Sequence, residues 1–239
     1  MNHRQAWAVV LVKPFRLAKQ RLAGVLDDRE RSELARVMLE DVLTAVGACR
    51  RLAGVIVVTA DRAAAAVGRR HEAVVLMESE AIGMNAAVVR VVEYLTCSSE
   101  VGIVVVPSDL PMLSPHDIEQ MIDLIERTPA IALVRSNDGG TNLLAGRPSS
   151  VIAPSFGPDS FNAHCDAAVS KGITPTVCFA PHLSLDIDRR DDLAAFVSLQ
   201  SSTLTHDYLV RLNILARLAT PSSSALSLMS TGYEGPRHE

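Results

Sequence analysis

Aromatic residues are scarce in this chain. They make up 4% of its 239 residues, whereas 48% of the residues are hydrophobic. A core must therefore be built mainly from valine, leucine, isoleucine and alanine. The length and the apolar content suffice for one sizeable core, as in a single large α/β domain.

Concentrated charge and long hydrophobic runs are also lacking. The net charge is −4, with no basic stripe and no block of like charges. Nucleic acids and membrane surfaces select such features, so we expect neither as a partner. The first apolar run ends at Lys13 and Pro14. It is too short for a signal-peptide core or a membrane span, and we expect no signal peptide.

Familiar cysteine and glycine motifs are absent as well. The four cysteines form no CxxC pair and have no histidine at metal-ligand spacing. This pattern is typical of free thiols in a reducing compartment, so we expect a cytoplasmic protein. The chain contains neither GxxxxGK[ST] nor GxGxxG, which argues against a P-loop and a dinucleotide-binding fingerprint.

Short β-branched apolar runs alternate with segments of helical periodicity. The runs predict buried strands at 7–12, 54–59, 73–77, 101–106 and 130–134. The helical segments are 29–46, 84–95 and 114–128, the last with Ser114 as N-cap and Pro115 as first helical residue. This alternation indicates βαβ units and a mostly parallel sheet.

The pattern changes after residue 136. Gly, Pro, Ser and Asn are frequent in 136–144 and 150–161, which predicts loops there. Further on we expect helices near 160–171 and 190–199 and a strand near 174–179. We assign residues 1–200 to the main domain and 201–239 to a C-terminal extension, with a helix over 203–219 and a disordered tail.

Asp109 lies three residues beyond the predicted strand 101–106, in the stretch PSDLP. Ligands of open α/β sheets bind beyond the carboxyl ends of the strands. Prolines on both sides stiffen the turn, and a carboxylate held there suits a hard cation. The alternative is that Asp109 only stabilises the turn before the next helix.

Asp186 and Asp188 form a second acidic pair. Alternate residues of an extended chain face the same side, so both carboxylates would repel each other unless a cation lies between them. The alternative is an exposed strand end that leads into a capped helix. Together with Asp109, the pair predicts a divalent-metal site.

Basic residues follow the first strand, at Lys13, Arg16, Lys19 and Arg21. A basic loop at this place can hold a polyphosphate, although a merely solvated loop is the alternative. Gly83 and Asn85 precede a helix, where glycine permits close approach and asparagine can pair with a base edge. The segments 139–144 and 156–165 offer the amides and hydroxyls of a small anion site.

The order of these stretches resembles the CofC/FbiD family, the guanylyltransferases of deazaflavin coenzyme F-420 biosynthesis. The resemblance covers about 7–197 and rests on VKP…AKQRL, GMN, PSDLP, GGTN, FGPDSF..H and LDID..DDL. It implies a Rossmann-like nucleotidyltransferase fold of the glycosyltransferase type A kind, a three-layer α/β sandwich around a mostly parallel sheet. It also implies transfer of GMP from GTP to a small phosphorylated carboxylic acid, with pyrophosphate released. The acceptor would be 2-phospho-L-lactate, phosphoenolpyruvate or 3-phospho-D-glycerate.

The resemblance also implies roles for individual residues. Metal ligands for Mg²⁺ would be Asp109, Asp186 and Asp188. Catalytic cations beside the phosphates would be Lys13, Lys19 and Arg21. The nucleotide would be bound by Lys13, Gly83 and Asn85. The phospho-acid would be bound by Thr141, Gly157 and Ser160.

Two other functions remain open at this point. One is a nucleotidyltransferase that uses CTP or molybdopterin, although the first loop lacks the close glycines usual in those enzymes. The other is a non-catalytic nucleotide-binding protein of the same fold. The sequence leaves open which phospho-acid is used, how many metal ions bind, and whether the chain forms a homodimer.

Overall fold

The computed structural model describes residues 6–81, 83–95, 101–184, 187–199 and 201–219. The strands are β1 (Ala6–Val12), β2 (Leu52–Thr59), β3 (Val74–Met77), β4 (Gly102–Pro107), β5 (Ala130–Arg135), β6 (Thr141–Arg147) and β7 (Thr176–Cys178). The helices are α1 (Asp28–Ala48), α2 (Arg62–Arg70), α3 (Met84–Leu95), α4 (Pro115–Leu124), α5 (Ser160–Ser170), α6 (Arg190–Ser198), α7 (Leu204–Arg211) and α8 (Ile214–Ala219). Within these residues, no helix has the length and apolarity needed to cross a membrane.

The strands form one sheet in the order β3-β2-β1-β4-β6-β5-β7. Strand β6 is antiparallel to both of its neighbours, and the other pairs are parallel. The predicted α/β fold with a mostly parallel central sheet is therefore confirmed.

Alternating side chains of β1 show how the sheet is covered. Val10 belongs to a buried cluster with residues of α1 and α4, whereas Val9 and Leu11 belong to a second cluster with residues of α3. Successive side chains of a strand face opposite sides of the sheet. Helices therefore cover both faces, which gives three layers.

Helix starts follow the sequence signals. Ser114 caps α4 by accepting from the Asp117 amide, and Asp117 accepts from the Ser114 amide in return. This capping box, with Pro115 at the first helical position, confirms the predicted start. Helix α2 was not predicted; it begins after Asp61, whose carboxylate caps it by accepting from the Ala63 amide.

The predicted loop over 136–144 is wrong in its second half, because β6 begins at Thr141. Its register pairs Leu144 with both Val105 of β4 and Leu133 of β5. A position between two strands supplies backbone partners on both sides and buries all seven residues of β6. Tertiary pairing thus outweighs the local loop signal of Gly139 and Gly140.

The predicted single helix over 203–219 is two helices, since α7 ends before Leu212 and Asn213 adopts a positive φ of 50°. Asp41 of α1 accepts from the Leu204 and Thr205 amides, and Leu209 is fully buried against the main core. The domain boundary at residue 200 stays a prediction. The predicted disordered tail lies outside the described residues.

Candidate active site

One edge of the sheet carries the candidate site. The parallel strands β3, β2, β1 and β4 all end there. A cavity of about 450 Å³ runs along this edge. Its lining includes Asp109 and Asp188 together with the loop after β1, and Glu78 after β3. The cavity is therefore where the sequence predicts ligand binding.

Lys19 lies between two carboxylates in this cavity. Its Nζ is 2.8 Å from Asp109 Oδ2 and 3.3 Å from Asp188 Oδ1. The Lys19 side chain is 4% exposed, whereas those of Asp109 and Asp188 are 32% and 37% exposed. Three residues that are far apart in the sequence thus meet at one point.

The loop that carries Lys19 is fixed by its own contacts. The Phe15 amide donates to Asp61 Oδ2 at 2.8 Å, which ties the loop to the start of α2. Phe15 and Leu22 are buried in the core on either side of Lys19. Lys19 itself adopts a left-handed conformation, with φ 54°, at the start of a 3-10 turn. Its side chain is therefore directed by the backbone toward the carboxylates.

Burial and charge oppose each other at this pair. Burial alone lowers the pKa of Lys19, but Asp109 and Asp188 outweigh it and raise the pKa above its usual value. Burial would likewise raise the pKa of Asp109, but Lys19 and then Lys13 hold it below its usual value. Both groups of the pair are therefore charged at neutral pH.

The carboxylates fit a divalent cation by their chemistry. Oxygens of Asp109 and Asp188 already face one shared cation, the Lys19 ammonium, and both side chains remain open to the cavity. Carboxylate oxygens are the ligands that Mg²⁺ prefers. The third predicted ligand, Asp186, lies outside the described residues. Within the described part, no group of three His, Cys, Asp or Glu side chains is arranged to hold a metal.

The other two predicted catalytic cations lie at the same place. Arg21 Nη1 is 3.0 Å from Asp188 Oδ2, and the Arg21 side chain is largely exposed. Lys13 is exposed at the end of β1 and lines the cavity. Lys13, Lys19 and Arg21 therefore put three positive charges around the two carboxylates, in a setting suited to an anionic ligand.

Thr141 and Ser160 belong to a buried network centred on His164. The Ser155 amide donates to His164 Nε2 at 2.9 Å, so the ring proton is on Nδ1. Nδ1 then donates to Thr141 Oγ1 at 3.0 Å, and Ser160 Oγ donates to the same oxygen at 3.3 Å. Because Thr141 Oγ1 accepts twice, its own hydrogen is left for a third partner.

His164 is suited to this role because it stays neutral. The residue is 0% exposed, and burial lowers its pKa from 6.5 to about 4. A neutral ring has one donor and one acceptor nitrogen, as the Thr141 and Ser155 contacts require. The ring is further held by an edge contact with Phe156, at 4.9 Å between ring centroids.

The register of β6 places this network at the edge that carries Asp109. Val105 pairs with Leu144 in the antiparallel ladder, so the start of β6 lies beside the end of β4. Asp138, in the turn before β6, has a lowered pKa because of Ser136, the Gly140 amide and, more weakly, Arg21. The Ser136 hydroxyl and the Gly140 amide, which both donate to Asp138, thus stabilise a negative charge in the turn before β6.

The remaining predicted residues are placed as follows. Gly83 lines the cavity, in the left-handed conformation with φ 90° that favours glycine. Asn85 pairs with the backbone of Phe156 at both ends of its amide, at 3.1 and 2.6 Å. Gly157 follows Phe156 with φ 143°, in open space. The binding roles predicted for all three stay predictions.

Glu78 was not among the predicted site residues. It is the first residue after β3 and lines the cavity at the far side from Asp109. An acid just beyond the carboxyl end of a buried strand is the signal that also pointed to Asp109, which lies two residues after β4. Glu78 does not stand out in the sequence, because Glu80 follows closely and the composition of the segment is typical of a polar loop.

Comparisons with known proteins place the chain in a family. Residues 6–229 match the family described as "Guanylyl transferase CofC like". A phosphoenolpyruvate guanylyltransferase of Roseiflexus castenholzii is 36% identical over 209 residues, which cover 86% of this chain and 96% of the relative. A 3-phospho-D-glycerate guanylyltransferase of Phenylobacterium zucineum is also 36% identical, over 200 residues that cover 78% of this chain and 87% of the relative.

A solved structure shows the same fold. The crystal structure from Desulfovibrio desulfuricans G20, described as a nucleotide-diphospho-sugar transferase, has a TM-score of 0.72 at 14% identity. The match covers 90% of this chain and 97% of that one. The predicted nucleotidyltransferase fold is thereby confirmed, and the matched sequence family settles the affiliation: the chain belongs to the CofC-like guanylyl transferase family.

Proposed function

We propose that the chain transfers GMP from GTP to a small phosphorylated carboxylic acid and releases pyrophosphate, as a step in making the deazaflavin coenzyme F-420 in the cytoplasm. The observation that carries this proposal is the meeting of Asp109, Asp188 and Lys19 at the carboxyl edge of the sheet. Two carboxylates that face a shared cation, beside further basic side chains, are the elements that phosphoryl chemistry requires.

The reaction needs positioning more than a strong base. A phosphate oxygen of the acceptor is already anionic, so it can form a bond to the α-phosphorus of GTP without losing a proton. The bond from that phosphorus to the bridging oxygen of the β-phosphate then breaks, and pyrophosphate leaves. Lys13, Lys19 and Arg21 would neutralise the negative charge of the GTP phosphates and of the departing pyrophosphate.

Asp109 and Asp188, with Asp186, would hold Mg²⁺. When bound, the ion would supply positive charge at the reacting phosphates. The Thr141 hydroxyl and Gly157 would orient the acceptor. The Thr141 hydroxyl can donate its hydrogen to the acceptor, because His164 and Ser160 both donate to the Thr141 oxygen. Relatives named for two different acceptors, phosphoenolpyruvate and 3-phospho-D-glycerate, are both 36% identical to the chain, so each candidate acid is tested as acceptor.

Product analysis tests this proposal. The purified protein is incubated with Mg²⁺, GTP and either phosphoenolpyruvate, 3-phospho-D-glycerate or 2-phospho-L-lactate, and pyrophosphate release and product mass are followed. We expect one acid to yield a guanosine diphospho-carboxylate and chelation of Mg²⁺ to stop the reaction. CTP in place of GTP serves as the control. Faster turnover of CTP, or no product from GTP with any of the acids, would overturn the proposal.

A further inference from the structure

Glu78 lies where a nucleotide base would reach. Strands β3, β2, β1 and β4 are parallel neighbours, so Glu78 after β3 and Asp109 after β4 are separated by three strand spacings, about 14 Å. If the GTP phosphates bind beside Asp109 and Lys19, the nucleoside extends along the same cavity toward Glu78.

The local backbone holds Glu78 in place. Its amide donates to the Thr59 carbonyl at 2.9 Å, which continues the ladder of β2 and β3 by one residue. Arg90 of α3 donates to the Met77 carbonyl at 2.8 Å. Leu76 packs on the face of the sheet that α3 covers, and the alternation of side chains puts Glu78 on that same face.

The surroundings of Glu78 suit a flat apolar ring. Leu11, Val58, Met84 and Ala87 line the same cavity. Such apolar walls favour burial of a base, while a single charged group at the end fixes its orientation. Among the bases, guanine presents two adjacent donors on its pairing edge, N1–H and the N2 amino group. Adenine and cytosine present one donor beside an acceptor nitrogen.

We propose that the Glu78 carboxylate selects guanine by accepting hydrogen bonds from N1–H and the N2 amino group. An ionised carboxylate can only accept, so both donors on the pairing edge of guanine can pair with it. It would repel the acceptor nitrogen of adenine or cytosine. The inference deepens the proposed function and rests on it, because it assumes that the cavity binds a nucleoside triphosphate.

The test compares GTP with ITP, whose base lacks the N2 amino group. The kcat/KM of both nucleotides is measured with Mg²⁺ and the preferred phospho-acid, for the wild type and for Glu78→Gln. The wild type should prefer GTP by about 10- to 100-fold, the value of one hydrogen bond to a charged group. In Glu78→Gln this ratio should fall to near one. Glu80→Gln, on the exposed neighbour that does not line the cavity, should keep the wild-type ratio.

Two further measurements separate the outcomes. If Glu78→Gln does not fold, Glu78→Asp takes its place. This variant keeps the charge but moves it away from the base by one methylene, so the GTP-to-ITP ratio of kcat/KM should fall in it as well. Direct titration of the wild type and the variant with GTP and ITP distinguishes the two proposals. Selective GTP binding lost in the variant, without any product in the wild type, would refute the transfer reaction and leave Glu78 as the guanine selector. An unchanged GTP-to-ITP ratio in Glu78→Gln would overturn the role of Glu78 alone.

Discussion

His164 should make the stability of the fold depend on pH. In the folded chain burial lowers its pKa from 6.5 to about 4. The unfolded chain therefore takes up a proton as the pH falls through 6.5, whereas the folded chain takes one up only near pH 4. Stability from His164 is thus present above pH 6.5 and is lost as the pH falls toward 4.

The size of this effect follows from the shift. At about 1.4 kcal/mol for each pKa unit, the full loss is about 3 kcal/mol, of which about 2 kcal/mol is lost between pH 7 and pH 4.5. His164→Gln removes the titrating group. We expect the variant to be less stable than the wild type at pH 7, because the bonds to Thr141 and Ser155 are rebuilt imperfectly. Its free energy of unfolding should nevertheless fall about 2 kcal/mol less on acidification.

Urea unfolding at pH 7 and pH 4.5 measures this difference. Wild type and variant share every other titrating group, so their difference isolates His164. The matched control is His116→Gln, which changes an exposed histidine in the first turn of α4 and should follow the wild-type curve. If His164→Gln lost as much stability on acidification as the wild type, the explanation of a buried neutral ring would be refuted.

Two other predictions concern the cation site and the C-terminal helices. Lys19→Met removes the ammonium that would compete with Mg²⁺ for Asp109 and Asp188. Mg²⁺ without nucleotide should therefore raise the melting temperature of the variant more than that of the wild type. An equal or smaller rise would argue against a shared cation position. Asp41→Ala leaves the Leu204 and Thr205 amides and the buried Thr205 hydroxyl without their acceptor, so the free energy of unfolding in urea should fall by about 1–3 kcal/mol. Unchanged stability would show that α7 is held by apolar packing alone.

The strand-end site could be predicted because its rule is local and general. Asp109 lies three residues after a β-branched run, and the carboxyl ends of parallel strands meet at one edge. The same rule would have identified Glu78. No spacing in the sequence, however, could place the Lys19 ammonium between Asp109 and Asp188. That position depends on a left-handed turn at Lys19 and on the Phe15 contact with Asp61.

Strand β6 shows the opposite case, in which the local signal misleads. The polar start at Thr141 and Asn142, after two glycines, reads as a loop. It becomes a strand because β4 and β5 pair with it on both sides. This pairing also brings Thr141 to the edge of the sheet that carries Asp109. Both the strand and its place in the site therefore depend on long-range contacts that periodicity does not record.

The most direct test of the account is the rate of pyrophosphate release from GTP, in Mg²⁺ and with the preferred phospho-acid, by Asp188→Asn. The change keeps the size of the side chain but removes the charge that faces Lys19 and Arg21. Asp191→Asn, at an exposed position in the first turn of α6, is the matched control and should react at the wild-type rate. We predict a loss of about 100-fold or more for Asp188→Asn, with the melting temperature retained within a few degrees. A folded Asp188→Asn protein with wild-type turnover would contradict the account.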